Sequence, residues 1–193
     1  MPYSLTLTKF GNPILRKSAK KVRAAKVQST DIQQLIKDMH AYMDDHPAYG
    51  VAIAAPQLNV PLAVVAVSVK PTDYRPNVEQ IKMTFINPEI VRQYGREYGM
   101  WEGCLSFGFG DSKTAQDFPY AQARRYKKVR LRYLDEFGVQ QESDFDGLLA
   151  HIIQHEVDHL NGILFVDRVK DSNTYMMKSE YIKRYQKVGV NSS

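Results

Sequence analysis

Two long stretches of the chain repeat apolar residues at intervals of three and four positions, the spacing of one helix face. The first begins near Thr30 and ends before Pro47, with apolar positions at Ile32, Leu35, Ile36, Met39 and Met43. The second is "DFDGLLAHIIQHEVDHLNG", where Asp144 or Asp146 could cap the start and Asn161-Gly162 could end the helix. The pattern therefore predicts two long helices, each with a buried face.

Apolar β-branched and alternating runs predict strands between these helices. The run from Pro61 to Val69 is one, and "KMTFINPEIV" is a second that Asn87-Pro88 interrupts. The stretch "KKVRLRYLDEFGVQQESDF" alternates and then turns near Phe137-Gly138, which predicts a hairpin. Residues 172–193 are rich in Lys and Arg and are predicted to be helical. We find no linker or repeat, so residues 1–193 are expected to form one α+β domain.

Composition narrows the setting of the protein more than its function. The 193 residues carry a net charge of +5, and no run suits a membrane span or a signal peptide. The single cysteine, Cys104, cannot form an internal disulfide. We therefore expect a cytoplasmic protein without a membrane partner or sequence-specific nucleic-acid binding. The basic excess is compatible with an RNA-rich partner such as the ribosome, although many basic proteins bind no nucleic acid.

The candidate chemistry lies in the segment "QHEVDHL". His155 and His159 are one helical turn apart, so both side chains lie on one face and can bind the same metal ion. Glu156 lies slightly off that line, where it can act on a metal-bound water, and this spacing is typical of metallohydrolases. Leu148 and Ile152 continue the stripe of the histidines, which predicts a buried site. The alternative is a pair of core histidines that only form hydrogen bonds.

The motif does not supply the third ligand. His151 is tempting, but it lies about 12 Å along the helix axis from His159, so three side chains on one straight helix will not converge. We therefore expect His151 to line the pocket or pack, and His40 and His46 to be exposed. Cys104 remains, since a thiolate is a good ligand for zinc or ferrous iron. The alternative for a lone cysteine is a small buried apolar residue.

Three segments, in order, resemble the signature motifs of the peptide deformylases: "GVAIAAPQ" (Gly50 to Gln57), "EGCLS" (Glu102 to Ser106) and "QHEVDH" (Gln154 to His159). The resemblance covers essentially residues 5–170. It implies short antiparallel or mixed sheets around a central metal-bearing helix. It also implies one divalent metal, held by Cys104, His155 and His159 with a water in the fourth position. That metal would be Fe²⁺, with Zn²⁺, Ni²⁺ or Co²⁺ as alternatives.

The resemblance further implies removal of the formyl group from the N-formylmethionine of new polypeptides. Glu156 would take the proton of the attacking water and pass it to the leaving amine. The Gln57 side-chain amide and the Leu105 backbone N–H would stabilise the charge on the formyl oxygen. Gly50 and the chain after it would flank the peptide as an added strand. Further candidates for substrate binding, each of which could instead be a packing residue, are Ala52, Ile53, Trp101, Gly103, Leu148, His151 and Ile152.

Side chains next to the ligands are expected to support them. Gln154 is a candidate hydrogen-bond partner of the ligands. Arg125 aligns with an arginine that supports the site in the family, and it would do so by pairing with Asp158. Arg124 is the competing choice for that role.

Two departures from the family pattern concern substrate access. Ala52 stands where the first motif usually has a second glycine, and the segment at residues 107–124 is longer than usual and could form a lid. These features keep open a deformylase-like paralogue with weak or altered N-acyl specificity. A protein that only binds peptide N-termini is disfavoured, because binding needs neither Glu156 nor the metal ligands. The cysteine ligand and the lack of a further ligand downstream disfavour a zinc endopeptidase.

Overall fold

In the part of the chain that the structure describes, six antiparallel strands form one sheet, and three α-helices pack around it. The computed structural model describes residues 5–45, 50–71, 77–108 and 117–185. The sheet order is β1-β2-β3-β4-β5, and β6 pairs with the start of β4. The strands are β1 (Ala52–Ala54), β2 (Val64–Val69), β3 (Ile81–Gly103), β4 (Pro119–Leu134), β5 (Gln140–Asp146) and β6 (Met176–Met177). The helices are α1 (Thr30–Asp45), α2 (Gly147–Leu160) and α3 (Lys178–Tyr185). The expected α+β class is confirmed.

The sheet carries a hydrophobic core on each face. Along β2, Val64 and Ala66 pack in the core that contains α1, while Val65 and Val67 pack in the core that contains α2. Successive side chains of a strand point to opposite faces, so a strand covered on both faces needs an unbroken apolar run. Residues 150–160 of α2 are all buried, which makes α2 the central helix.

β3 is longer than the sequence indicated. The interruption expected at Asn87-Pro88 is a register irregularity directly after Ile86, not the end of the strand. Asn87 has a φ of +52°, and its side chain exchanges two hydrogen bonds, of 2.8 and 2.7 Å, with the backbone of Val22. The strand then continues to Gly103, because β4 pairs with it far beyond the irregularity. This continuation carries the chain to Cys104.

α2 begins and ends where expected, but neither aspartate caps its start. Asp146 is the residue before the helix, and within the described chain its side chain makes no hydrogen bond to the helix. Asp144 instead binds Arg130 on the neighbouring strand, at 2.6 Å. At the other end Gly162 has a φ of +72°, and a Cβ there would lie 2.7 Å from the backbone of Arg16. Glycine is therefore needed for both the backbone conformation and the close approach.

The expectations for His40 and for the C-terminal segment need correction. His40 is buried, with its Nε2 2.9 Å from Thr84 Oγ1, while His46 lies outside the described residues. The C-terminal segment is helical in α3, after the 3₁₀ turn Ser172–Thr174 and β6, and residues 186–193 lie outside the described residues. No helix in the described ranges combines the length and the apolar character that a membrane crossing needs.

Candidate metal centre

The end of β3 and the middle of α2 bring together three groups that can hold a metal ion. Cys104 directly follows β3, and His155 and His159 lie one turn apart on α2. One ligand atom of each residue lies within 4.8 Å of the others, and Cys104 Sγ is 3.2 Å from His159 Nε2. All three residues are buried. A thiol and two imidazoles form a ligand set for zinc or ferrous iron that leaves a fourth position open, so the site fits a catalytic metal.

His151 takes no place in this cluster, as the helix geometry predicted. Its Nδ1 lies 2.9 Å from Met100 Sδ, and its Nε2 pairs with the Glu102 carboxylate. Met100 and Glu102 are alternate residues of β3, so their side chains face α2 together. His151 therefore packs against the face of β3 that is turned towards α2. A contact between His151 and a substrate stays a prediction.

Glu102 connects β3 to the ligand His155. Its carboxylate accepts a hydrogen bond from Arg125 Nη2 at 2.7 Å and lies 3.3 Å from His155 Nδ1. Burial by itself would raise the pKa of Glu102, but His155, His151 and Arg125 outweigh burial and hold that pKa well below its ordinary value. The carboxylate engages Nδ1 of His155, which leaves Nε2 for a metal.

The two ligand histidines differ in their affinity for a proton. Burial disfavours a charged His155, but Glu102 and Cys104 outweigh burial and raise the pKa of His155 well above its ordinary value. Burial, and then the charge of His155, lower the pKa of His159 well below its ordinary value. A neutral imidazole is the form that binds metal, so of the two histidines His155 is the one at which a proton competes with a divalent cation.

Arg125, on β4, is the cation at the centre of the buried charges. It pairs with Glu102 and with Asp158, and Arg168 binds the same Asp158 at 2.7 Å. The expected pair of Arg125 and Asp158 is confirmed. Arg124, the competing choice, pairs at the partly exposed surface instead.

Gln154 does not support a ligand in the way expected. Its Oε1 accepts a hydrogen bond from the Tyr126 N–H at 2.9 Å, and its Nε2 donates to Tyr126 O at 2.8 Å and to Ala150 O at 2.9 Å. Adjacent residues of a helix point about 100° apart, so Gln154 faces β4 while His155 faces the cluster. The side chain thereby joins α2 to β4.

Two polar side chains for which the motifs predicted roles in the reaction, Glu156 and Gln57, lie beside the cluster. Glu156 is buried, and its Oε2 has no hydrogen-bond partner in the described part of the chain. Burial raises the pKa of Glu156 to about 7, and a nearby cation would lower that pKa. Gln57 Nε2 lies 3.4 Å from Cys104 Sγ, and Gln57 Oε1 accepts a hydrogen bond from the Ala54 N–H at 2.9 Å. The amide nitrogen of Gln57 therefore points towards the cluster.

The N-terminal segment that contains Thr8 and Phe10 forms backbone hydrogen bonds to two turns at the site. No pattern in the sequence of this segment predicted these contacts. The Thr8 N–H donates to Gln57 O at 2.7 Å, and the Phe10 N–H donates to Ser106 O at 2.7 Å. The turn that carries Gln57 is thereby tied to the turn that follows Cys104. Backbone donors carry no residue signature, so only the folded chain reveals this contact.

Several candidate substrate residues lie on the α2 side of the sheet. Ala52 and Ile152 pack in the core that contains α2. Gly50 lies against Leu105, because a Cβ on Gly50 would be 3.2 Å from Leu105 Cδ1. Leu148 is 37% exposed, so it lies at the surface end of the α2 stripe and not in the interior. Contact of these residues with a substrate stays a prediction.

Ile53 and Trp101 do not share the α2 side of the sheet with Ile152, and contact of these two residues with a substrate stays a prediction. Ile53 is fully buried in the core that contains α1. Trp101 packs against α3, on the face of β3 that is opposite to Glu102. Strand alternation is the reason, because neighbouring side chains cannot share a face.

The long segment after Ser106 is only partly described. Residues 109–116, on which the predicted lid falls, lie outside the described residues. Residues 119–124 belong to β4, and residues 120–124 pair with β3, so this part of the expected loop is strand.

The comparison with known proteins decides the family. A model of the polypeptide deformylase family matches residues 4–175. The chain belongs to this family. The peptide deformylase of Thermomicrobium roseum is 36% identical over 170 residues, which cover 88% of each chain.

Solved structures of this family have the same fold. The Met-Ala-Ser-bound class I type b peptide deformylase of Acinetobacter baumannii is 36% identical, with a TM-score of 0.75 over 88% of this chain and 100% of that chain. The peptide deformylase of Synechococcus elongatus, in complex with actinonin, is 34% identical with a TM-score of 0.70, over 88% of this chain and 81% of that chain. Family membership makes the protein a metal-dependent hydrolase of protein biosynthesis and confirms the resemblance found in the three motifs.

Proposed function

We propose that this chain removes the formyl group from the N-terminal formylmethionine of newly made polypeptides. It does so in the cytoplasm, with residues 1–193 as one catalytic domain. The observation that carries the proposal is the cluster of Cys104, His155 and His159 beside the buried carboxylate of Glu156, whose Oε2 has no hydrogen-bond partner among the described residues. We propose Fe²⁺ as the resident metal, and the same ligands suit Zn²⁺, Ni²⁺ or Co²⁺.

The side chains around the cluster suit the steps of amide hydrolysis. A divalent ion at the three ligands supplies Lewis-acid activation of water. Glu156 takes a proton from the attacking water and passes it to the leaving amine. The Gln57 amide nitrogen and the Leu105 N–H donate to the formyl oxygen as negative charge develops there. Burial of the cluster strengthens these electrostatic interactions.

The peptide is proposed to add to β1 as a further strand. Among the described strands β1 pairs with β2 alone, so its other edge can offer backbone groups to a peptide, apart from the Ala54 N–H, which donates to Gln57 Oε1. Such bonds do not depend on side chains, which suits an enzyme that handles many polypeptides. The Acinetobacter baumannii relative is bound to Met-Ala-Ser, which supports a product of this kind. The proposed groove residues are Gly50, Ala52, Gly103, His151 and Ile152.

A ribosome contact is proposed for the basic C-terminal segment. α3 carries Lys183 and Arg184 in its last turn, and RNA phosphates attract such charges. Ribosome affinity should weaken as salt rises and should fall when both residues are replaced by Gln. Affinity without salt dependence would contradict the contact.

Formate release from formyl-Met-Ala-Ser by anaerobically purified, iron-loaded protein tests the reaction. Glu156→Gln should lower kcat by about 10²- to 10⁴-fold, because it removes proton transfer while keeping the side-chain shape. Bound metal should equal that of the unmodified protein. Glu142→Gln is the control, because this carboxylate is exposed on β5. Metal-loaded protein that releases no formate would contradict the proposed function.

Ala52 favours one second candidate, a hydrolase with a different N-acyl substrate. Its methyl group is buried in the core that contains α2, next to the proposed groove. Ala52→Gly should then increase the rate on formyl peptides relative to other N-acyl peptides. Equal rates for Ala52→Gly and the unmodified protein would remove the support for this candidate.

A further inference from the structure

The outer face of the last β3 residues carries stacked aromatic rings, opposite to the charged groups that face α2. Trp101 lies between Met100 and Glu102, so its side chain is on the other face of the strand. The Trp101 ring centre is 5.2 Å from that of Tyr181 and 5.3 Å from that of Tyr185, and both tyrosines belong to α3. The two faces of one short strand segment therefore contact two different helices.

Two further rings press on the backbone next to Cys104. Tyr120 pairs in register with Gly103, and its ring stacks on Tyr181 with 5.1 Å between ring centres. A Cβ on Gly103 would lie 2.6 Å from the Tyr120 ring and 2.7 Å from the Phe118 ring. Both rings thus contact the backbone that precedes Cys104. In a close-packed interior, a shift of these rings displaces that backbone.

α3 is anchored to the chain that leads into β4. Ser179 donates from its N–H at 3.0 Å and from its Oγ at 2.6 Å to the Asp117 carboxylate. The Lys178 N–H donates to Phe118 O at 2.9 Å. β6, directly before α3, pairs with the first residues of β4. The position of α3 is therefore set relative to the start of β4, which pairs with the end of β3 next to Cys104.

α3 lies beyond residues 4–175, the span that the family model matches. We propose that α3 is a positioning element for the metal centre. The ring cluster (Trp101, Tyr120, Tyr181 and Tyr185) holds the end of β3 where Cys104 shares an ion with the two histidines. This inference rests on the proposed function, since it concerns the same ligands, but it makes a separate claim about how Cys104 is held.

Co²⁺ binding gives a readout of Cys104 that is separate from activity, because a thiolate bound to Co²⁺ adds a near-ultraviolet absorption band. Trp101 is the only tryptophan, so its emission reports whether α3 stays packed. Replacing Tyr181 and Tyr185 together by Ala, in the full chain, should shift this emission and weaken the band. It should also raise the Kd for Co²⁺ by about 10-fold, the scale of a lost outer contact at a metal site. In the iron-loaded enzyme kcat should fall more than KM changes.

Tyr181→Phe keeps the ring and should keep the absorption band and the Kd of the unmodified protein. Tyr94→Ala is the matched control. It removes a surface tyrosine from β3, the strand that carries Trp101, away from the ring cluster. An unchanged band and Kd in the double variant would overturn the proposal, whether or not the Trp101 emission shifts. Should the double variant not fold, Tyr181→Leu alone carries the test. Failure of the proposed function would appear separately, as unmodified protein that binds Co²⁺ normally but, iron-loaded, releases no formate.

Discussion

α1 and α2 cover opposite faces of one sheet and both bury histidines, but the surroundings of those histidines differ. On α1, His40 bonds to Thr84 Oγ1 within an apolar core, and the other side of the helix is exposed. On α2, His155 and His159 meet the Cys104 thiol, and the middle of the helix is buried on every side. A buried histidine at helical spacing is thus common to both helices. Only the histidines of α2 also meet a possible metal ligand from a different element, the Cys104 thiol that follows β3.

The difference shows what a buried polar cluster requires. His40 makes one hydrogen bond, from its Nε2 to Thr84 Oγ1, and its buried Nδ1 has no partner among the described residues, so α1 carries no network of buried polar groups. The α2 side holds the carboxylates of Glu102 and Asp158, and these need the buried guanidinium of Arg125. Charges without a partner in the interior cost several kcal/mol, so such a cluster is hard to explain by stability alone. The comparison predicts that changes on α2 alter chemistry and changes on α1 alter stability.

The largest expected effect follows from replacing one histidine on each helix. His159→Gln removes a metal ligand and should weaken metal binding by more than the roughly 100-fold that loss of an outer partner costs. His40→Gln should leave metal content unchanged, because His40 lies outside the cluster. Metal analysis after dialysis against a chelator separates the two. Equal metal loss in both variants would break the comparison.

Arg125→Met should be the most destabilising change on the α2 side. It leaves the buried carboxylates of Glu102 and Asp158 short of a cation, which should lower the free energy of unfolding by about 3 to 5 kcal/mol. Arg130→Met, on the same strand, removes a surface pair with Asp144 and should change stability little. Urea unfolding of both variants measures the difference. Similar unfolding midpoints would contradict the central role of Arg125.

Leu35→Ala should affect stability without affecting the reaction. Leu35 lies on the buried face of α1 and is fully buried. Its truncation should cost about 3 kcal/mol of unfolding free energy. At a temperature where the variant is folded, kcat should match that of the unmodified protein. Lys37→Ala, on the exposed side of α1, is the control. A large fall in kcat for folded Leu35→Ala would show that α1 also shapes the site.

The smallest expected effect is the pH dependence of stability from His40. Burial, and then the charge of Lys82, lower the pKa of His40 below its ordinary value of 6.5. The unfolded chain therefore binds this proton more readily than the folded chain. The contribution of neutral His40 to the free energy of unfolding is therefore complete above about pH 6.5. It is lost as the pH falls from there towards the lowered pKa of His40 in the folded protein. Unfolding curves of metal-loaded protein, measured across this pH window, should show a smaller loss of unfolding free energy for His40→Gln than for the unmodified protein. The same pH dependence in both proteins would contradict the predicted contribution of His40.

Local sequence patterns predicted the candidate metal ligands, but they did not predict most of the contacts that surround them. The spacing of His155 and His159 predicted a shared helix face, and the family motifs pointed to Cys104. His40 was wrongly predicted to be exposed, and the length of β3 was missed. Each of these depends on which strand or helix packs against the residue, and a local pattern carries no record of that partner.

The sequence by itself determined the central helix, its pair of histidines with Glu156 between them, and the three motifs that identify the family. These features depend on backbone geometry over a few residues, which spacing alone reports. Only the tertiary structure decided that Glu102 binds Arg125 and His155, that Gln154 faces β4, and that α3 stacks on Trp101. The physical reason is that these groups are distant along the chain and meet only when the helices pack against the sheet. Their contacts depend on packing and burial, which no short segment contains.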